Sequence, residues 1–313
     1  MSQQTIVIAL GGNAMQQPGQ KGTHEIQLEN VRIACEEIYK VRKAGYRVVL
    51  TSGNGPQVGA IKLQNQAAAG VSPEMPLFCC GAMSQGIIGY WMQQSMGNVL
   101  RSAGEEAKVV TVVTQSIVDS NDKAFANPTK PVGRFYTEAE AKEVMEKEGK
   151  IMKEDAGRGW RVVVPSPRPQ TIVEYKVIKQ LIDSGVIVVC TNGGGIPVIE
   201  KNGKLEGVDS VIDKDLATSL LATQLSSDYL MILTDVPNAY INYKQPNQEK
   251  LETITLERML DLESQGHFKA GSMGPKVRAA IEFVQKTGNP AIITSLDKAV
   301  DALAGVCGTR IVK

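Results

Sequence analysis

Three short apolar runs, each ending in a glycine turn, constrain the fold of this chain more than any other feature. A buried strand that ends in glycine lets backbone N–H groups approach an anion that a side chain would keep away. In open α/β sheets, ligands bind beyond the carboxyl ends of the strands, so three such turns predict one shared site for a phosphoryl group. The runs are residues 6–10 followed by Gly11, Gly12 and Asn13, residues 47–52 followed by Gly53 and Asn54, and residues 186–190 followed by Gly193, Gly194 and Gly195.

The charge balance argues against two classes of partner. With 34 basic and 33 acidic residues, the formal net charge is +1, whereas proteins that bind nucleic acid or membrane surfaces need a clear cationic excess. The cysteines are odd in number and show no Cys-x-x-Cys spacing, which argues against a disulfide framework or a zinc site. No apolar stretch reaches the length of a membrane span. The sequence therefore predicts a cytoplasmic protein without metal ligands of its own. The cysteines are Cys35, Cys79, Cys80, Cys190 and Cys307.

Apolar runs of strand length alternate with longer stretches of helical period along the chain. This alternation is typical of βαβ units. We therefore predict an α/β fold, a three-layer αβα sandwich around a mainly parallel sheet. The spacing also predicts an apolar helix from about 81 to 102, whose stripe belongs either to the core or to a subunit interface. The stripe consists of Met83, Ile87, Tyr90, Trp91 and Met92. A second half of the chain begins near Val211, which divides it into residues 1–210 and 211–313.

The least regular part of the chain, at about 120–160, interrupts this pattern. It contains the sequence NPTKPVGRFY at 127–136 and then a charged helix, opened by a capping box at Thr137 and Glu140. Because the segment is too long for an ordinary connection, we predict a small protruding subdomain that acts as a lid. The valines at 162–164 are expected to return the chain to the main core.

Three lysines are candidates for binding phosphate. Lys276 falls in the first turn of a predicted helix, where the macrodipole disfavours a cation by about 0.3–1 kcal/mol unless an anion offsets it. Lys214 stands in the same position on another helix, but Asp213 and Asp215 flank it and could neutralise it. Lys130 belongs to the lid segment, where a solvated lysine is the ordinary interpretation.

Other enzyme classes are disfavoured by what the sequence lacks. Neither the Walker pattern nor the Rossmann pattern GxGxxG follows a strand. With only His24 and His267 available, a Ser-His-Asp hydrolase is also disfavoured.

Several motifs, in their order and combination, resemble those of the carbamate kinases within the amino acid kinase family, over essentially the whole chain. Wider members of that family, such as acetylglutamate kinases, carry a lysine in the first strand just before the paired glycines. This chain has Ala9 and Leu10 there, and Lys130 matches the subdomain lysine thought to take over that role in carbamate kinases. The motifs are ALGGNA at 9–14, TSGNGPQVG at 51–59, KPVGRFY at 130–136, VPSP at 164–167, VIDKD at 211–215 and GSMGPK at 271–276.

The resemblance implies reversible phosphoryl transfer between ATP and carbamate, with Mg²⁺ on the nucleotide. It implies a carbamate half at 1–210, which includes the lid, and a nucleotide half at 211–313. Family members usually run toward ATP and are expected to be homodimers. The implied catalytic residues are Lys130, Lys214, Asp215 and Lys276; the implied substrate-binding residues are Gly11, Gly12, Asn13, Ser52, Gly53, Asn54, Gly193 and Gly194; and the implied nucleotide-binding residues are Lys214, Thr234, Asp235, Tyr243, Met273 and Lys276.

Two rival interpretations remain open at this point. One is another member of the amino acid kinase family that phosphorylates a different carboxylate. Such an enzyme would normally carry the first-strand lysine. The other is a non-catalytic nucleotide-binding regulator, which we would expect to have lost Lys130 or Lys214.

Overall fold

A computed structural model describes residues 3–155, 157, 159–269 and 272–313, apart from the side chain of Asn13. Gly271 of the GSMGPK motif and the side chain of Asn13 therefore lie outside the described part.

The strands are β1 (Thr5–Leu10), β2 (Arg47–Ser52), β3 (Val109–Thr111), β4 (Gln115–Val118), β5 (Lys130–Tyr136), β6 (Met152–Glu154), β7 (Trp160–Val164), β8 (Pro169–Ile172), β9 (Ile187–Val189), β10 (Ile196–Lys201), β11 (Lys204–Gly207), β12 (Tyr229–Thr234), β13 (Tyr240–Ile241), β14 (Glu249–Lys250), β15 (Thr253–Thr255), β16 (Ala291–Ser295) and β17 (Thr309–Val312).

Helices connect most of the successive strands of the central sheet, as the alternation in the sequence predicts. Short 3₁₀ turns occur at Gly12–Ala14, Asn192–Gly194 and Leu296–Lys298. The α-helices are α1 (His24–Lys43), α2 (Gly55–Ala67), α3 (Leu77–Ser102), α4 (Lys123–Ala126), α5 (Glu138–Glu148), α6 (Tyr175–Asp183), α7 (Lys214–Gln224), α8 (Leu256–Ser264), α9 (Met273–Thr287) and α10 (Ala299–Leu303).

Eight strands form one central sheet in the order β15-β17-β16-β12-β1-β2-β9-β3. Every neighbouring pair is parallel except β16 and β17, which are antiparallel. The strands after residue 211 form one side of this sheet, and those before residue 210 form the other, with β12 and β1 paired where they meet. The sheet is therefore continuous across the two predicted halves of the chain.

Helices cover both faces of the central sheet. Side chains of a strand alternate between the faces, and in β1 Val7 and Ala9 join one apolar cluster while Ile6, Ile8 and Leu10 join the other. The first cluster includes buried residues of α6, α7, α8 and α9, and the second includes those of α1, α3 and α10. This arrangement confirms the predicted three-layer α/β fold.

A three-stranded antiparallel sheet in the order β5-β7-β6 stands apart from the central sheet and carries α5. The predicted capping box at Thr137 and Glu140 is present at the start of α5. One expectation is wrong: the valines at 162–164 pair with β5 and β6 rather than returning to the main core. The sequence could not reveal this, because a short apolar run has the same pattern whether its strand joins the central sheet or the sheet of the subdomain. The segment forms a subdomain, which has its own small core at Ala141, Met152 and Val163.

Helix α3 has one buried face and one exposed face. Ile88, Trp91 and Met92 are fully buried in the second apolar cluster. Met83, Ile87 and Tyr90, on the other face, are 45%, 41% and 52% exposed. In the part of the chain that the structure describes, neither this helix nor any other is long and apolar enough to cross a membrane.

Close packing of α3 on β3 depends on Gly89. A Cβ at this position would lie 2.1 Å from Cγ2 of Thr111, whose hydroxyl donates to the Gly89 carbonyl oxygen at 2.9 Å.

We predict that Gly89→Ala lowers the free energy of unfolding by about 1–3 kcal/mol, because the new methyl group forces β3 away. Gly86→Ala, on the exposed face of the same helix with open space around it, should be neutral or stabilising by up to about 1 kcal/mol. Urea denaturation of both variants tests the pair, and equal stabilities would contradict it.

Candidate active site

The three glycine turns lie side by side at the carboxyl edge of the central sheet, because β1, β2 and β9 are consecutive strands. Leu10 is in register with Ser52, and the N–H of Gly53 donates to the Leu10 carbonyl oxygen at 3.2 Å. The N–H of Cys190 donates to the Leu50 carbonyl oxygen at 2.9 Å. The turns at Gly12, Gly53 and Gly193 therefore follow neighbouring strand ends.

A cavity of about 640 Å³ opens beside two of these turns. Its walls come from the start of α2, from β5 of the subdomain, and from the first turns of α7 and α9. Ser52 and Gly194, by contrast, are buried and are absent from its lining, while Gly11 lines a separate cavity beside Thr234 and Asp235. The predicted site residues that line the large cavity are Gly53, Asn54, Lys130, Gly193, Lys214, Asp215 and Lys276.

The glycines of these turns have different surroundings. A Cβ at Gly12 would meet no described atom within 4 Å, and one at Gly53 would lie 3.4 Å from Cδ of Lys214, an ordinary contact. Gly193 and Gly194 instead have φ of +69° and +88°. A Cβ at Gly193 would lie 2.1 Å from Nδ2 of Asn54, and one at Gly194 would lie 2.8 Å from the Ile212 carbonyl oxygen. Gly12 and Gly53 thus leave space for a ligand, whereas Gly193 and Gly194 are required by the fold.

Asp215 joins two of the predicted lysines. Its carboxylate is 3% exposed; it pairs with Nζ of Lys214 through Oδ1 and with Nζ of Lys276 through Oδ2, the latter at 3.4 Å. Burial alone would raise the pKa of Asp215, but the two ammonium charges and their hydrogen bonds outweigh it, so this pKa lies below its usual value. The anion that offsets Lys276 at its helix N-terminus is thus a carboxylate of the protein itself. A buried, ionised Asp215 holds both cations at the edge of the cavity.

Asp213 does not neutralise Lys214, as one reading of the sequence suggested, but contacts Lys130. Its Oδ1 accepts from the N–H groups of Asp215 and Leu216 and so caps α7. Its Oδ2 lies 3.3 Å from Nζ of Lys130, which reaches the site from β5. Lys130 is 43% exposed, compared with 14% for Lys214 and 17% for Lys276. The subdomain therefore supplies the most accessible of these three cations.

A second cavity, of about 310 Å³, lies next to the first. Thr234, Asp235, Tyr243 and Met273, predicted to contact the nucleotide, all line it. Ser272, just before α9, lines both cavities. A nucleotide base in the second cavity would therefore have its phosphates directed past the start of α9 toward Lys276.

This arrangement suits phosphoryl transfer. Such a reaction needs alignment and neutralisation of charge on the transferred group more than a covalent catalyst. Three ammonium groups and two carboxylates leave a net positive charge beside the glycine turns. Within residues 3–155, 157, 159–269 and 272–313, no group of three or more His, Cys, Asp or Glu side chains could hold a metal ion.

Sequence reasoning missed several residues of the cavity. Arg134 and Arg161 line its subdomain wall; Arg161 donates to the Gly133 carbonyl oxygen at 3.0 Å and pairs with Asp155 at 3.2 Å. Ser84, buried on α3, bonds Asn54. The KPVGRFY motif was a signal for Arg134, but nothing local to Arg161 or Ser84 indicated that the fold brings them here.

The two kinds of glycine predict different mutant behaviour. Gly12→Ala or Gly53→Ala should lower kcat by about 10²-fold or more while the melting temperature changes by only a few degrees, because the methyl group enters ligand space. Gly193→Ala should instead lower the melting temperature, because it strains φ and displaces Asn54. Thermal melts and turnover of the three variants test this contrast. Unfolding of Gly12→Ala would mean that this glycine serves its turn alone.

Comparison with known proteins agrees with this geometry. The model of the amino acid kinase family matches residues 4–295. A carbamate kinase of Giardia intestinalis is 68% identical over 311 residues, which is 99% of this chain and 98% of that protein. One from Pyrococcus horikoshii is 52% identical over 308 residues, 98% of each chain.

Solved structures extend the comparison. The carbamate kinase from Giardia lamblia bound to AMP-PNP superposes with a TM-score of 0.95 at 69% identity, covering 100% of this chain and 99% of that one. A UMP kinase from Ureaplasma parvum, 17% identical with a TM-score of 0.54 and full coverage of both chains, shares the fold alone. The chain therefore belongs to the amino acid kinase family and, within it, to the carbamate kinases.

Proposed function

We propose that this protein is a carbamate kinase, which transfers a phosphoryl group reversibly between ATP and carbamate. One observation carries the proposal beyond family membership: Lys130 reaches the cavity from the subdomain, while the first strand has Ala9 and Leu10 before its glycines. This favours a carbamate kinase over wider members of the family, such as acetylglutamate kinases, that carry a lysine on that strand. The relatives that cover nearly the whole chain support the same choice.

The reaction forms one P–O bond and breaks another. A carbamate oxygen attacks the γ-phosphorus of ATP, the bond from phosphorus to the β,γ-bridging oxygen breaks, and ADP leaves with that electron pair. The backbone N–H group of Gly12 would hold the transferred group, and Gly53, whose N–H donates to the Leu10 carbonyl oxygen, would leave space for it. Lys130 and Lys214 would stabilise negative charge on its equatorial oxygens, and Lys276 would bind the nucleotide phosphates.

Asp215 acts in this proposal through the lysines that it orients. Because it is buried and ionised, it holds the Lys214 and Lys276 ammonium groups in place before an anion arrives. Less reorganisation is then needed when charge develops on the transferred group. Asp213 would do the same for Lys130 and release it to a phosphoryl oxygen.

Mg²⁺ is the proposed metal, held by the nucleotide phosphates. It would neutralise phosphate charge and align the phosphate chain. We propose residues 211–313 as the nucleotide half, since they supply the second cavity, and residues 1–210 as the carbamate half. The proposed direction in the cell is toward ATP, which requires a reaction that releases carbamoyl phosphate from citrulline or a related ureido compound.

A homodimer is the proposed assembly. The exposed stripe of Met83, Ile87 and Tyr90 on α3 would be the contact surface, because contiguous apolar surface on a protein marks an interaction site. Sedimentation equilibrium is the measurement, and a monomeric mass at micromolar concentration would contradict this part of the proposal.

A coupled assay tests the function itself. The protein should form ATP from ADP and carbamoyl phosphate, and should be inactive in parallel assays for acetylglutamate, aspartate and glutamate kinases. Activity with one of those amino acids in place of carbamoyl phosphate would overturn the proposal.

The role of Lys130 gives a sharper prediction. Lys130→Ala should lower kcat by about 10²–10³-fold, the loss expected when one preorganised charge is removed. Nucleotide affinity should change little, because Lys130 does not line the second cavity. Lys142→Ala, an exposed lysine on α5 of the same subdomain, is the matched control and should keep wild-type turnover. Near-normal turnover in Lys130→Ala would exclude the role.

We also predict that residues 120–160 move as a lid over the carbamate side. The chain enters and leaves the subdomain at one place, where Oδ2 of Asp122 accepts from the N–H of Arg168 at 2.9 Å. Closure would exclude water from carbamate and complete the charge cluster. Hydrogen exchange of the free protein and of its complex with nucleotide and a carbamoyl phosphate analogue should show the largest gain in protection near Lys130. Equal protection in both states would indicate a rigid insert.

A further inference from the structure

A short chain of hydrogen bonds runs from the cavity into α3. Nδ2 of Asn54 lies 2.8 Å from Oγ of Ser84, and that hydroxyl donates to the Gly81 carbonyl oxygen at 2.6 Å. Asn54 is the residue before α2 and lines the large cavity. Ser84 is fully buried. The chain therefore links a cavity residue to a rigid, buried point of the fold.

The direction of these bonds determines which end of the Asn54 amide is available to a ligand. A serine hydroxyl has one proton, and Ser84 donates it to the Gly81 carbonyl oxygen. Ser84 can then only accept from Asn54, so the amide must direct its NH₂ group toward α3. No donor among the described residues bonds Oδ1 of Asn54. The side chain of Asn54, a residue that lines the cavity, thus keeps one acceptor without a donor among the described residues.

Gly193 holds the same amide from the other side. Its missing Cβ would lie 2.1 Å from Nδ2 and 2.6 Å from Oδ1 of Asn54. The amide therefore packs against the Gly193 backbone through both Nδ2 and Oδ1, and this contact does not decide which of the two atoms faces the cavity. The hydrogen bond to Ser84 decides it.

A free acceptor is useful for only part of the proposed substrate. Carbamate and carbamoyl phosphate differ from acetate and acetyl phosphate in carrying an amino group where those carry a methyl group. Carboxylate and phosphoryl oxygens need donors, which the backbone N–H groups and lysines supply. Only the amino group has protons that an acceptor can bind. Among small acyl groups of one shape, an acceptor therefore selects the one that has an amino group.

We propose that Oδ1 of Asn54 accepts a hydrogen bond from the amino group of carbamate, and that Ser84 is the positioning residue that directs it there. This inference rests on the proposed carbamate kinase function and specifies how that site distinguishes carbamate from other small carboxylates. Loss of Ser84 leaves the Asn54 amide free to turn its NH₂ group toward the substrate. The NH₂ group of Asn54 and the amino group of carbamate would then face each other without a hydrogen bond, and the preference for carbamate over other small carboxylates would be lost.

The test compares two phosphoryl donors in the ATP-forming direction. Initial rates with ADP are measured for carbamoyl phosphate and for acetyl phosphate, and the ratio of their kcat/KM values is the readout. In Ser84→Ala and in Asn54→Ala, this ratio should fall about five- to tenfold, the contribution of one hydrogen bond. Ser84→Thr keeps the hydroxyl and should keep the wild-type ratio. Ser95→Ala, another buried serine of α3, is the matched control and should also keep it.

The outcomes separate this inference from the proposed function. If the wild-type protein makes no ATP from carbamoyl phosphate, the proposed function fails. If it does, and the ratio is unchanged in both Ser84→Ala and Asn54→Ala, the inference is overturned and the function stands. Equal loss with both donors also overturns it, because a merely structural role for Asn54 would affect both. Thermal melts identify any variant that fails to fold, and the remaining variant then decides.

Discussion

The buried carboxylate of Asp215 is the interaction on which the rest of the site depends. It is 3% exposed and pairs with Lys214 and Lys276, which lie in the first turns of different helices. Removing one partner of a buried ion pair typically costs about 3–5 kcal/mol, because the other charge is left without compensation. This carboxylate therefore offsets the cost, about 0.3–1 kcal/mol, that the macrodipole imposes on each lysine in the first turn of a helix.

Packing of the two helices keeps this charge cluster in place. α7 and α9 share the apolar cluster on one face of the central sheet, through residues such as Leu221 and Val277. The buried hydroxyl of Ser219 on α7 donates to the Ala279 carbonyl oxygen of α9 at 2.8 Å. Any shift of one helix along the other would break this bond and the contacts around Asp215 together. The core therefore determines the spacing of two cations that the proposed reaction uses.

The sequence predicted both the fold class and the place where the glycine turns meet, because both follow from the burial pattern of the elements and the parallel direction of the strands. Apolar strand runs and helical stripes report burial on each face, and the carboxyl ends of parallel strands must meet at one edge. The pairing of Asp213 with Lys130 could not be predicted, because it joins residues 83 positions apart. The sequence placed both aspartates beside Lys214 but could not say which carboxylate the fold would direct elsewhere. Residues 162–164 were expected to return the chain to the main core, but they pair within the subdomain, since strand period carries no information about partners.

The lysines differ in how firmly the fold holds them. Lys214 and Lys276 stand on helices of the main core and are 14% and 17% exposed, whereas Lys130 is 43% exposed on a subdomain with only a small core. The first strand, which is fully buried, has Ala9 and Leu10 at the point where other family members place their lysine. A cation on such a strand is always present at the site. In the proposed lid movement, a cation on the subdomain and the exclusion of water would arrive at the cavity together. For carbamate, which decomposes in water, that coupling is a physical reason to carry the lysine on the subdomain rather than on the sheet.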